Sequence, residues 1–294
     1  MSSAGILLLD KPAGLTSHDV VGKVRRLART RAVGHAGTLD PAATGLLILG
    51  VNRGTKLLTY LTGLDKTYRA TIRLGADTTT DDAEGEVVSA PGCPPLAADV
   101  LEAALAQFRG RIQQVPASVS AIKVDGKRAH ALVRAGQQVE LAARPVTILR
   151  LEQLGPARVV DQFLDLDVEV ECSSGTYIRS LARDLGRVLG VGGHLTSLRR
   201  TTIGPWTVAE ATPLADLPPD PTLLSFDQVC PTLFPLVEIT PAQAERFRYG
   251  QVPELDVTLA EGEVRSIGVP GANVAGLVQV KSGRLKPAFI IQPI

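Results

Sequence analysis

The stretch Phe163-Leu164-Asp165-Leu166-Asp167-Val168-Glu169-Val170-Glu171-Cys172 decides the fold class of this 294-residue chain. Apolar and acidic residues alternate through it without a break, the period-2 signature of an antiparallel strand with one buried face. It continues through Ser173-Ser174-Gly175-Thr176 into a segment with Ile178, Leu181, Leu185, Val188 and Leu189 on one helical face. Elsewhere strand and helix patterns mix without a βαβαβ series, and neither a GxGxxG turn nor a P-loop occurs. The chain is therefore expected to be α+β and not a dinucleotide-binding fold.

Working outward, Val20, Val21, Val24, Leu27 and Ala28 make a helical stripe behind Ser17, which reads as its cap. Leu46–Val51 reads as a buried strand, followed by a short helix near 53–61 and a strand across Lys66–Leu74. A helix is expected around 97–109. The acidic stretch Asp77–Gly85 reads as a solvated loop, because a Ca²⁺ loop needs ordered ligand spacing with a terminal Glu. Pro213–Pro221 reads as a linker. Beyond about Pro231, a helix over Pro241–Gly250 and strands near 264–269, 274–281 and 285–291 predict a small β-rich unit.

Hydrophobic content of 45% and charged content of 21% are those of an ordinary globular chain and exclude disorder. No apolar run suits a membrane span, and the N-terminus has neither the basic lead nor the apolar length of a signal peptide. Cys93, Cys172 and Cys230 are odd in number and widely spaced, which predicts a reduced, cytoplasmic protein without a disulfide frame or a zinc site. His18, His35, His130 and His194 form no ligand pair, so no metal is expected. Net charge is only +1, yet residues 1–60 carry eight basic residues against three acidic. Residues 120–150 carry six against two, and residues 179–200 five against one. Such patches are the footprint of phosphate-backbone binding.

One carboxylate stands out. Gly34-His35-Ala36-Gly37-Thr38-Leu39-Asp40-Pro41-Ala42-Ala43-Thr44-Gly45 sets Asp40 in a glycine-rich turn directly before the apolar strand. Taken alone, such an Asp is an ordinary turn residue capping its own backbone. Three further turns carry reactive or aromatic residues at an element's edge: Asp10–Ser17, Lys66-Thr67-Tyr68-Arg69-Ala70 and Gly175-Thr176-Tyr177-Ile178-Arg179. Two of only four tyrosines lie in them.

Together these residues strongly resemble the TruB family of tRNA pseudouridine synthases, whose DKPxGxTS, GHxGTLDPxATG, KxYxA and GTYIRxLxxDLG motifs occur here in order over about residues 4–210. Gln114-Val115-Pro116 with Ser120–Gly126 resembles the family's RNA-clamping insertion, and Leu198-Arg199-Arg200 its later active-site strand. Ala117 and Val119 depart from the clamp pattern, and Thr38 replaces an alanine common before Leu-Asp-Pro. The C-terminal segment resembles a PUA-type RNA-binding domain.

The resemblance implies a pseudouridine synthase fold: a mixed, mainly antiparallel central sheet flanked by helices. It implies a catalytic domain over 1–230, with the insertion at about 112–145, and a PUA-like domain over 231–294. The reaction implied is isomerisation of uridine 55 in the T loop of tRNA to pseudouridine, without a cofactor. Extrusion of the base comes first. Asp40 is then the catalytic carboxylate, acting at ribose C1′ or uracil C6, with Arg179 as its charge partner, since such a group must be ionised. Tyr68 stacks on the base, Tyr177 and Leu198 line the pocket, and Lys11 packs with Pro12 behind Tyr68. His35 fills the space the base leaves. Lys123, Lys127, Arg128, Arg199 and Arg200 are expected on the RNA backbone. A glycoside hydrolase would need two carboxyl groups. A non-catalytic RNA chaperone would not need Asp40, Tyr68 and Arg179 together, and a guide-RNA-dependent relative usually carries extra N-terminal sequence. A stand-alone monomer with no obligate protein partner, guide RNA or membrane association is therefore expected.

Overall fold

The computed structural model describes residues 3–117 and 141–291, together with the backbone of 123–124 and 127–128. A large mixed sheet runs through the molecule. Its strand order is Thr212–Pro213, Gly5–Lys11, Thr44–Val51, Gly193–Ile203, Lys66–Leu74, Phe163–Cys172, Arg144–Gln153 and Gly110–Gln114. Most neighbours are antiparallel. The exceptions are Gly5–Lys11 with Thr212–Pro213, and the central pair Thr44–Val51 with Gly193–Ile203.

The strand Phe163–Cys172 behaves as its alternation predicts. Leu164, Leu166, Val168, Val170 and Cys172 are buried under the helix Ile178–Leu189 and the helix Ala98–Ala106. On the other face its carboxylates pair across the sheet. Asp165 takes a bidentate pair from Arg73 (2.7 and 2.8 Å), Glu169 meets Arg69 (2.9 Å) and Arg150 (2.6 Å), and Asp167 accepts from Thr71 (2.8 Å) and Arg158. Opposite charges facing each other across strands hold register as well as energy.

Three expectations are corrected. The helix Ser17–Leu27 is capped not by Ser17 but by Thr16, in a reciprocal capping box with Asp19. The stretch Pro213–Pro221 is no free linker: Thr212–Pro213 pairs with Leu9 and Asp10 at the sheet edge, and Leu214 and Leu217 are buried beneath it. The acidic segment is not a solvated loop. Asp77–Thr78 pairs with Val87–Ser89, and the turn between them folds back onto the helix Ile178–Leu189.

The C-terminal part forms a second sheet in the order Leu236–Glu238, Val264–Gly268, Val274–Lys281 and Arg284–Ile290, with the helix Pro241–Arg248 beside it. Val274, Leu277 and Phe289 of this sheet join one apolar cluster with Ile6, Ile48, Leu57 and Trp206 of the main body. Arg53 donates to the Ile290 carbonyl and lies over the Phe289 ring. Among the described residues, no helix is long and apolar enough to cross a membrane.

Candidate active site

The central parallel pair creates the cleft. Register sets Arg199 opposite Thr44 and Arg200 opposite Gly45, so the loop that precedes Thr44 hangs over the middle of the sheet. Gly45 has φ +103°, and a Cβ there would lie 2.2 Å from the Arg200 carbonyl oxygen. Only glycine permits this backbone and this approach.

The Asp40 loop is held from below by the N-terminal motif. The buried Lys11 ammonium donates to the carbonyls of Pro12 (2.8 Å), Leu15 (2.7 Å) and Pro41 (3.1 Å). Ser17 Oγ accepts from the Leu39 amide (2.8 Å) and lies 3.1 Å from the Leu39 carbonyl, and Gly14 N donates to Pro41 (2.9 Å). The residues on either side of Asp40 are thus fixed, while its own side chain remains 39% exposed. Burial lowers the Lys11 pKa to about 8, against the opposing pull of Asp40. Lys11 supports the loop from below and does not itself line the cleft.

Arg200 corrects the sequence expectation most sharply. It is 1% exposed, and its guanidinium donates to the carbonyls of Leu46 (2.7 Å), Gly37 (3.1 Å) and Thr38 (3.3 Å). A guanidinium consumed by three backbone carbonyls beneath the loop cannot reach an RNA phosphate from the surface. Arg199 is committed too, to Asp10 (2.6 and 3.0 Å). Counting charge along 179–200 therefore overstated the free positive surface: Arg183 is tied to Asp81 and Asp184, and Arg179 to Asp40.

Above this floor opens a cleft of about 590 Å³, lined among others by Asp40, Lys66, Tyr68, Tyr177, Arg179, Leu198 and Arg200. That is the size range of small-molecule sites, and a nucleoside fits it. Arg179 Nε lies 3.0 Å from Asp40 Oδ2 and 3.6 Å from Asp82 Oδ2, and Arg179 Nη1 donates to the Thr80 carbonyl (2.9 Å). Asp82, 14% exposed, is a second carboxylate at Arg179 that sequence reasoning missed, and it lines a smaller pocket beside the cleft with Asp40, Arg179 and Leu198. Its only signal was that Asp81-Asp82 sits between threonine and glycine turn residues, which equally suits a solvated loop.

Tyr68 is buried between Val170 and Arg200 on neighbouring strands. Burial pushes its hydroxyl pKa up, opposed by the facing Arg200 guanidinium, so it stands in the cleft as a neutral phenol. Lys66 opens the strand Lys66–Leu74 and lines the cleft as well. Its ammonium donates to Thr62 and Leu64 carbonyls (3.1 and 2.6 Å) at the cleft's edge, and burial lowers its pKa to about 8. His35 ends the short strand Val33–His35, paired with Leu49. Its Nδ1 is buried without a hydrogen-bond partner among the described residues, and burial followed by Arg200 lowers its pKa toward a neutral ring. Tyr177, at the helix N-cap, and Leu198, on the strand Gly193–Ile203, both line the cleft. Lys123–Val124 and Lys127–Arg128 pair as a two-residue ladder, but the side chains of Lys123, Lys127 and Arg128 lie outside the described residues, as does most of the expected insertion.

An arginine flanked by Asp40 and Asp82 beside a buried tyrosine, on a mixed sheet of this strand order, is the setting of a pseudouridine synthase. The chain belongs to the TruB family of pseudouridylate synthases: the family's N-terminal domain matches residues 25–178, and the tRNA pseudouridylate synthase B C-terminal domain matches residues 179–220. It is 50% identical over 294 residues to the tRNA pseudouridine synthase B of Corynebacterium aurimucosum, covering 100% of this chain and 98% of that one. It is 52% identical over 290 residues to the tRNA pseudouridine synthase B of Mycobacterium sp. strain KMS, covering 98% and 96%. Two solved structures share the fold. A Cbf5-Nop10-Gar1 complex has a TM-score of 0.70 at 23% identity, covering 98% of this chain and 84% of that chain. An H/ACA ribonucleoprotein bound to a substrate RNA containing 2′-deoxyuridine has a TM-score of 0.68 at 21% identity, covering 99% and 84%.

Proposed function

We propose that this enzyme isomerises uridine 55 in the T loop of tRNA to pseudouridine, with Asp40 as the catalytic carboxylate. The observation that carries the reading is the 3.0 Å contact between Arg179 and Asp40 in a cleft of nucleoside size. The two full-length relatives are tRNA pseudouridine synthases, which supports tRNA as the substrate.

The target base is inside a folded loop and must leave its stack before its glycosidic bond is reached. In this reading His35 takes the place the base leaves, and its neutral ring suits a stacking role. The flipped base lies on Tyr68, between Tyr177 and Leu198. Asp40 acts at ribose C1′ or uracil C6, and Arg179 holds its carboxylate in place while the uracil is free to turn. The C5–C1′ bond then replaces the N1–C1′ bond, C5 loses a proton and N1 gains one, so the atoms balance without a cofactor. Lys123, Lys127 and Arg128 contact the RNA backbone. Residues 1–230 form the catalytic domain and 231–294 a PUA-like RNA-binding domain. The enzyme works in the cytoplasm as a monomer, with neither guide RNA nor obligate protein partner.

A pseudouridine assay by tritium release or mass on unmodified tRNA tests the reading, comparing wild type with Asp40→Asn. Activity confined to wild type and to position 55 is expected. Full activity of Asp40→Asn overturns the role of Asp40, and wild-type activity on another RNA but on no T arm overturns the substrate.

A further inference from the structure

Gln114 ends the edge strand Gly110–Gln114 and is 2% exposed. Its side-chain amide makes both hydrogen bonds that a neighbouring strand would make: Oε1 accepts from Tyr177 N (2.8 Å), and Nε2 donates to Tyr177 O (3.1 Å). Tyr177 is the N-cap of the helix Ile178–Leu189, in extended conformation, and has no side-chain cap hydrogen bond. The first helical bond, from Leu181 N to Tyr177 O (3.2 Å), lands on the same carbonyl. A single buried amide therefore sets where the helix begins. Two residues later the helix presents Arg179 to Asp40.

The next residue is fastened as well. Arg183 Nη2 donates to the Val115 carbonyl (2.8 Å), while its Nη1 and Nε reach Asp81 (3.0 Å) and Asp184 (2.9 Å). Asp81 precedes Asp82, the second carboxylate at Arg179. Gln114 thus binds the helix start directly, and Val115 is joined through Arg183 to the acidic turn, the other element at the Arg179 guanidinium.

We propose that Gln114 is a positioning residue for the isomerisation, holding Tyr177 and Arg179 at the height where they face Asp40, with Arg183 fastening the other side of the same joint. Displacement of a catalytic group by about 1 Å can cost 10²-fold in rate. Loss of the amide removes the acceptor for Tyr177 N at a half-buried helix start, while Tyr177 O keeps its bond from Leu181 N, so the helix N-terminus shifts to find another partner. The inference rests on the pseudouridine synthase reading of the cleft.

The test measures single-turnover pseudouridine formation at saturating tRNA, tRNA Kd and thermal midpoint for wild type, Gln114→Ala and Gln114→Glu. Wild-type turnover is the control: if wild type modifies no tRNA, the functional reading fails. With wild type active, Gln114→Ala is expected to lose at least about tenfold in rate with Kd changed less than about threefold, the mark of a group needed in the transition state. Gln114→Glu supplies a readout that simple destabilisation would not move. An ionised carboxylate accepts from Tyr177 N but cannot donate to Tyr177 O, whereas a protonated one does both, and burial raises a carboxyl pKa. The Gln114→Glu rate divided by the wild-type rate is therefore expected to rise as pH falls, a ratio in which any pH effect common to both proteins cancels. A folded Gln114→Ala with wild-type rate, a loss confined to Kd, or a flat Gln114→Glu ratio overturns the proposal. Should Gln114→Ala fail to fold, the Gln114→Glu ratio decides alone.

Discussion

Arg179 Nε stands between two carboxylates, 3.0 Å from Asp40 and 3.6 Å from Asp82. The first lies in the glycine-rich loop and the second in a turn some forty residues later, so one guanidinium ties two distant turns together. Arg179 is held within the fold, with a side chain only 7% exposed, and its charge is matched inside the protein.

Replacing Asp82 should therefore reach the chemistry without removing any group from the base. Asp82→Asn keeps the shape but weakens the hold on Arg179, and the single-turnover rate is expected to fall by about tenfold or more, as for a displaced catalytic group. Filter-binding Kd for tRNA should stay within a few-fold. A large change in Kd with an unchanged rate would assign Asp82 to RNA binding instead.

Arg199 and Arg200 should be silent in the salt dependence of binding. Each phosphate contact contributes about −0.7 to −0.9 to the slope of log K against log salt. Arg199 is spent on Asp10 and Arg200 on three carbonyls, so Arg199→Gln should leave the slope measured between low and moderate salt unchanged. A slope reduced by about one would place Arg199 on a phosphate. Arg200→Ala is a stability variant. With three carbonyls left unmet and a cavity beneath the loop, a loss of about 3 kcal/mol or more is expected in denaturant titration.

Lys66 predicts how stability responds to alkaline pH. The unfolded chain holds this proton up to its ordinary value of 10.5, whereas the folded chain releases it near 8 because burial disfavours the ammonium. Between these values the unfolded state binds more protons, so this residue makes stability rise with pH. Lys66→Met removes the contribution. Subtracting its denaturation midpoints from those of wild type across pH 7–10.5 should show wild type gaining as pH rises. A difference that is flat or falls with pH would show the Lys66 charge to be stabilised in the fold.

Gly45→Ala tests the close approach at the sheet's centre. Both the φ of +103° and the 2.2 Å gap to the Arg200 carbonyl oxygen forbid a Cβ without separating the two central strands. A loss of about 3 kcal/mol or more is expected, above the usual range for a surface substitution. Wild-type stability with activity retained would mean that the strands part at little cost.

How far the sequence led can be judged residue by residue. The alternation of 163–172 named a strand correctly because periodicity records which face is buried, and the structure buries that face. Asp40, Tyr68, Tyr177, Arg179 and Leu198 were all legible, and all line one cleft. Charge patches were read less well. A local count along 179–200 says nothing of where each side chain ends, and Arg183, Arg199 and Arg200 end on partners contributed by residues far away in the chain. Asp82 was hidden for the same reason: a turn carboxylate is identified by the arginine it meets, and that arginine lies 97 positions later. The Thr16 cap was missed by one residue because serine is the better N-cap of the two by preference, yet Ser17 is drawn to Leu39 and leaves the cap to Thr16.

The central pairing of Arg199 with Thr44 and Arg200 with Gly45 has a consequence for the protein's manufacture. Asp40 leaves the ribosome early, but Arg179 and Arg200 follow it by well over a hundred residues. A nascent chain that has emerged only as far as residue 170 carries Asp40 with neither the arginine beside it nor the one beneath its loop. Contacts of such sequence separation form late. Completion of the cleft is thus deferred until synthesis is well past its midpoint.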